Sequence, residues 1–205
     1  MNYATLASPA SLQKITAALH DHGMEALVVD NSAAALAKIK ELIPPGASVM
    51  NGASRTLEQI GYIDYLKAGD HGWNNLHEGI LAEKDPSAQA QLRRQALLSD
   101  YYLGSVHALA ETGEFIIASN TGSQLPHIVY SSPNLIFVVG THKIVPTLAA
   151  AFKRLEEYVV PLEDQRMQET RGVGTQLSKI VIFKRENQRM GRRVRLLLVK
   201  EKLGF

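Results

Sequence analysis

The opening stretch of the chain alternates short apolar runs with helical stripes, and that alternation restricts the fold more than any other feature. Ser8 to His22 reads as a helix. Ser8 can cap it, Pro9 takes the favoured first position, Leu12, Ile15, Ala18 and Leu19 form an apolar stripe, and Gly23 ends it. Ala26 to Val29 follows as a short buried strand. Asn31 or Ser32 then caps a second helix with Leu36, Ile39 and Ile43 inward, stopped by Pro44-Pro45-Gly46, and Ala47 to Met50 is the next strand. A strand, a helix and a second strand in this rhythm give a parallel sheet covered by helices.

The rest of the chain extends that frame. A helix is expected from near Thr56, and two tracts, Ile63 to Asn75 and Pro86 to Leu98, look helical in part. The polar HGWNNLHEG tract lies between them. Asp100 to Ala110 reads as one strand, Glu111 to Glu114 as a turn with Gly113 where a positive φ is easiest, and Phe115 to Ala118 as the returning strand. The pair is expected as an antiparallel hairpin beside the parallel strands. Leu135 to Val139 is the most apolar strand, and Gly140 to Lys143 is expected to turn into a helix through Tyr158. Lys179 to Phe183 and Val194 to Val199 read as two last strands joined by a charged connection.

With 205 residues, 45% of them hydrophobic, the chain fits one α/β domain with a proper core. It has no cysteine, which excludes a cysteine nucleophile, thiolate-ligated zinc and an iron–sulfur cluster carried by thiolates of this chain. The start, MNYATLASPASLQ, has neither the basic nor the apolar region of a signal peptide, and no apolar run approaches the roughly 18 residues of a membrane span. A cytoplasmic location without membrane contact is expected.

Three segments repeat one design, in which a strand ends in a Gly/Ser/Thr/Asn turn before a helix-like segment. They supply the candidate ligand-binding residues: Asn51, Gly52 and Ser54; Asn120, Thr121, Gly122 and Ser123; and Gly140, Thr141 and Lys143. Glycine lets backbone approach a ligand, free N–H groups at a helix start favour an anion, and hydroxyls add donors. In a parallel sheet such turns gather at the carboxyl edge of the strands. The plainer alternative makes Ser54, Asn120 and Thr141 ordinary caps. Lys143, at an expected helix start where a cation is unfavourable, makes sense if it reaches a phosphate or carboxylate; otherwise it faces solvent.

Two residues are candidates for catalysis. His107, on the strand face it shares with Ser105 and Leu109, could be a general base or a hydrogen-bonded structural histidine. Glu111, at the turn, could accept a proton or simply be solvated. His71 and His77 flank Trp73 at a spacing that does not suit a helical metal pair, so no metal and no resident cofactor is expected. From Lys179 to Lys202 nine basic residues face Glu186 and Glu201, although the whole chain carries only +2. Lys184, Arg185, Arg189, Arg192 and Arg193 read as a connection protecting a terminal sheet. Nucleic-acid binding would call for interleaved aromatics, and only Phe183 is near.

At Asp100 to Leu125, DYYLGSVHALAETGEFIIASNTGSQL resembles the signature segment of the LUD domain family, the lactate-utilisation C proteins. NGASRTLEQIG upstream, LIFVVGTHKIVPTLAAAFKRLEEY downstream and the closing RVRLLLVKEKLGF look like the same family in the same order, so the resemblance covers most of the chain as a single LUD-type domain, 1–205. HGWNNLHEG has no counterpart in it. The resemblance implies a three-layer α/β/α fold, with a mostly parallel sheet and an antiparallel hairpin, similar to the sugar-phosphate isomerase, deaminase and coenzyme A transferase superfamily. It also implies partners that oxidise L-lactate to pyruvate, one of them carrying iron–sulfur clusters, with this chain as the cysteine-free component. It supports Asn120, Thr121, Gly122, Gly140, Thr141 and Lys143 as pocket positions and assigns them no catalytic step.

Three functional readings follow. The first is an accessory component of L-lactate utilisation with a pocket for a small anionic metabolite and a docking surface for an iron–sulfur partner. The second is a free-standing enzyme on a phosphosugar or acyl compound, with Glu111 or His107 as base and Lys143 holding an anion. The third is a nucleic-acid or regulatory binder using the C-terminal arginines. A homo-oligomer is compatible with all three.

Overall fold

The computed structural model describes residues 2–205. Helix α1 (Pro9–Asp21) starts where Ser8 Oγ accepts the Ser11 N–H at 3.2 Å, and α2 (Ser32–Leu42) starts where Asn31 Oδ1 accepts the Ala34 N–H at 2.9 Å. Between and after them lie β1 (Glu25–Val29) and β2 (Ser48–Asn51), followed by α3 (Arg55–Gln59), α4 (Tyr62–Ala68), the two-residue β3 (Asn74–Asn75), α5 (Leu76–Ala82) and α6 (Pro86–Gln95). The second half contains β4 (Tyr101–Gly104), β5 (Ala108–Ala110), β6 (Phe115–Ser119), β7 (Asn134–Gly140) and β8 (Ile144–Val145). Helix α7 (Leu148–Arg154) then runs through a π-helical turn at Leu155–Val159 into α8 (Val160–Arg171), and β9 (Lys179–Phe183) and β10 (Arg193–Val199) complete the chain.

The main sheet has six strands in the order β1-β10-β7-β4-β2-β3, all parallel. A second sheet, β8-β5-β6-β9, is mixed: β5 runs parallel to β8, while β6 runs antiparallel to both β5 and β9. Strand alternation sends β7 residues to opposite sides of the main sheet. Leu135, Phe137 and Val139 join α1 and the second sheet in one core, whereas Ile136 and Val138 join α2, α3 and α4 in another. The outer face of the second sheet packs Ala108, Ile116 and Val145 against Ala151, Leu155 and Val159 of the helical rod. This is a three-layer α/β arrangement in which one covering layer includes the second sheet. Among the described residues, no helix is long and apolar enough to cross a membrane.

Four expectations change. The run Asp100 to Ala110 is two strands in two sheets, with Ser105-Val106-His107 crossing between them, so the hairpin packs on a face of the parallel sheet and not at its side. Residues after Gly140 form a 3-10 turn and β8 before the helix starts, so Lys143 is not at a helix N-terminus; Thr147 caps that helix instead. The last two strands do not form a terminal sheet, because β10 lies between β1 and β7 while β9 edges the other sheet. The basic connection is partly structural: Arg192 donates to the carbonyls of Ile128, Val129 and Ser132 and pairs with Glu186, whereas Lys184, Arg185, Arg189 and Arg193 are exposed. Gly113 does take a positive φ, 98°, at the hairpin turn.

Candidate ligand pocket

The carboxyl ends of β2, β4 and β7 lead into Gly52-Ala53-Ser54, Ser105-Val106-His107 and Thr141-His142-Lys143. Two of these segments and Lys143 meet Ser119 to Gln124 from the second sheet and residues of the α7–α8 rod around a cleft of about 440 Å³. A topological edge of a parallel sheet is where this class of fold places ligands, because strand ends there release the chain into loops. Ser54 and Ser119 also shape their own loops. Ser54 Oγ accepts the Leu57 N–H at 3.3 Å, and Ser119 Oγ accepts the Gly122 N–H at 2.8 Å.

Lys143 forms part of the cleft wall although only 3% of its surface is exposed. Its Nζ donates to Thr56 Oγ1 at 3.1 Å, Ser105 Oγ at 3.0 Å and the Val106 carbonyl at 3.2 Å. Arg154, fully buried, donates from NH1 to the next carbonyl along, that of His107, and its Nε and NH2 have no partner within the described residues. Its guanidinium lies 5.2 Å from the Tyr158 ring and 5.9 Å from the Tyr3 ring. The crossover is thus held by two buried cations on successive carbonyls. Neither cation makes an ion pair with a described carboxylate.

That imbalance appears in the proton affinities. Burial, then the Arg154 charge, brings Lys143 down to about 7. Burial lowers Arg154 to about 10 against the opposing influence of Tyr158 and Tyr3. Burial and the charges of Lys143 and Arg154 push His107 to about 3, and the same causes with Lys202 push His142 to about 3. The His107 Nδ1 accepts the Ala118 N–H at 3.1 Å, which puts the ring proton on Nε2. A neutral, donor-presenting imidazole beside two cations suits an anion better than it suits a general base.

The structure gathers Gly52, Ser54, Asn120, Thr121, Ser123, Lys143 and His107 around the cleft. Asn51, Gly122, Gly140 and Thr141 lie outside its lining. Asn51 Nδ2 turns back to the Gly52 carbonyl, Gly122 packs under the Lys179 stem, and Gly140 sits against residues 201–203. Glu111 is on the far hairpin, where its carboxylate accepts from Ser11 Oγ at 2.5 Å and Lys14 Nζ at 2.9 Å. His71 Nδ1 accepts the Trp73 N–H, and the Trp73 indole donates to the Ile43 carbonyl, so that tract is tied into the core. Thr56 and Arg154 were missed from the sequence. The usable signal for Arg154 was a basic residue in an apolar helical stripe, three after Ala151 and one before Leu155.

Parallel sheet, mixed second sheet and a cleft at the carboxyl edge together describe an α/β domain. The chain belongs to the LUD domain family, whose model matches residues 12–198. A crystal structure of a DUF162 family protein from Deinococcus radiodurans is similar in fold, with a TM-score of 0.54 at 14% identity, covering 95% of this chain and 98% of that one. No match was found among curated proteins.

Proposed function

We propose that the protein is a component of L-lactate utilisation that holds a small carboxylate or phosphate anion in the cleft beside Lys143. The observation that carries this reading is the pair of buried cations, Lys143 and Arg154, with no described carboxylate to neutralise either. A buried charge without a counter-charge is costly, and an anion at about 4 Å from one cation is worth roughly 4 kcal/mol at an effective dielectric of 20. Thr56 and Ser105 accept from Lys143 while their own O–H groups donate to the Leu203 and Val106 carbonyls, so the lysine is held by neutral groups alone. Asn120, Thr121 and Ser123 add polar side chains to the same cleft. The association with lactate rests on the family, and because the chain has no cysteine the reading leaves any iron–sulfur electron transfer to a partner. Anion binding returns Lys143 toward its ordinary, protonated state and so takes up a proton near neutral pH.

The test is thermal melting with L-lactate, pyruvate and inorganic phosphate, compared between wild type and Lys143→Met. The expected result is a rise in Tm for wild type with at least one of the three and no rise for the variant. An equal rise in both proteins, or no rise with any of the anions, removes the pocket reading.

A further inference from the structure

Lys143 is the lysine whose amine is both buried and open to the cleft. Most buried ammonium groups are fixed by a carboxylate, which locks the proton on. Here all three partners are neutral, and two of them, Thr56 Oγ1 and Ser105 Oγ, are hydroxyls that donate as readily as they accept. The shell as it stands suits an ammonium, with three donors outward; it serves a free amine once the Ser105 hydroxyl, now 3.4 Å from the Val106 carbonyl, turns toward the lone pair, while the Thr56 hydroxyl stays on the Leu203 carbonyl. Arg154 adds a fixed positive field from the other side of the crossover. An amine desolvated beside a second cation is the arrangement that frees a lysine lone pair at neutral pH, and Lys143 is held down to about 7.

We propose that Lys143 forms a reversible imine with the carbonyl of a small 2-oxo carboxylate lodged in the cleft. The proposal rests on the anion pocket described above and adds the chemical class of its occupant: an amine nucleophile calls for a carbonyl, and the surrounding cationic field calls for an adjoining carboxylate. Nζ attacks the carbonyl carbon, a C–N bond forms, and the C=O π pair moves to oxygen, which takes a proton relayed from nitrogen through Ser105 or Thr56. The carbinolamine C–O bond then breaks, and the oxygen leaves as water with one further proton from solvent. The product is an iminium, so amine, carbonyl compound and one proton give iminium and one water. No oxidant or reductant takes part. The iminium carries the charge of the ammonium it replaces, next to the ligand's carboxylate, so the electrostatic balance of the cleft is kept.

The experiment is borohydride trapping of the full chain with pyruvate, followed by peptide mapping. Acetone supplies the carbonyl without the carboxylate, and L-lactate the carboxylate without the carbonyl. The expected result is a reduced pyruvate adduct concentrated on Lys143, formed faster as pH rises through about 7, absent in Lys143→Arg, suppressed by L-lactate and not matched by acetone. Mapping on the wild-type chain makes the answer independent of whether the variant folds. Pyruvate raising Tm without an adduct on Lys143 overturns the imine and leaves the anion pocket standing. An adduct spread evenly over exposed lysines such as Lys14 and Lys153 also overturns it. Acetone labelling Lys143 as well as pyruvate does overturns the carboxylate requirement. No thermal shift and no adduct removes both readings together.

Discussion

Lys143 sits in the folded chain at a proton affinity well below its ordinary one, and that difference is a stability term with a definite sign. Its folded pKa is about 7 against a reference of 10.5. Between those values the unfolded chain holds the proton and the folded chain does not, so stability from this residue rises with pH across the window and is lowest below pH 7. Lys143→Met is therefore expected to be more stable than wild type at pH 6, with the gap narrowing by pH 9; urea midpoints at the two pH values measure it. Glu111 is the opposite case. Hydrogen bonds from Ser11 and Lys14 hold its carboxyl below the usual range, far from the cleft. Glu111→Gln is expected to cost at most about 1 kcal/mol, as for other part-exposed pairs, and to leave anion-induced thermal shifts unchanged. The sequence singled out Lys143, but through a helix dipole that is not there. A residue's burial depends on what crosses above it, and Ser105, Val106 and Thr56 come from segments distant in sequence.

The crossover at Ser105 to His107 shows what local pattern cannot resolve about elements. Apolar and small residues run from Tyr101 to Ala110 without proline or an interior break, so one strand is the natural reading. The pairing of β4 with β7 ends at Gly104 and Phe137, β7 runs on to Gly140 beside β10, and Ala108 finds Ile116 in the second sheet. The hairpin partner Ile116 is local and was expected, but the β7 partner of Gly104 is distant in sequence, and nothing within the segment encodes where one sheet gives way to the other. The elements that were legible, α1, α2 and β7, carry their signals inside themselves as caps, stripes and continuous apolar runs. Gly140 gives an element-scale test. A Cβ there would lie 2.8 Å from the Glu201 carbonyl oxygen and 2.8 Å from the Leu203 nitrogen, both backbone atoms. Gly140→Ala is expected to cost about 1–3 kcal/mol in chemical denaturation by pushing that segment off the sheet edge. Because the Leu203 carbonyl accepts from Thr56 Oγ1, the substitution should also weaken anion-induced shifts, though it touches no cleft residue.

For the molecule as a whole, the buried histidines set the response to acid. His107 and His142 are held at about 3 and His127 at about 4, all chiefly by burial, against a reference of 6.5. As pH falls below 6.5 the unfolded chain gains protons that the folded chain refuses, so stability drops by up to about 1.4 kcal/mol per pH unit for each histidine until the folded pKa is reached. Denaturant midpoints are expected to fall steadily from pH 6.5 to pH 4, and His142→Met should make that fall shallower. A flat profile over this range would contradict the neutral state assigned to these rings. The α/β class was legible at this scale because a βαβ rhythm has few solutions. The strand order was not, since it rests on pairings such as Glu25 with Arg195 that no window of sequence contains.

The place of β10 between β1 and β7 has a consequence for how the chain is made. A ribosome delivers β1, β7 and both of their apolar faces long before the strand that joins them. Until Arg193 to Val199 emerges, the main sheet exists as two pieces with a gap between them, each showing unpaired backbone edges. Nascent chains stalled short of that strand are thus the vulnerable species, and a translational pause upstream of it prolongs their exposure to aggregation or to holding chaperones. The last strand closes the sheet and, with it, fixes the neighbouring segment against Thr56 that completes the cleft.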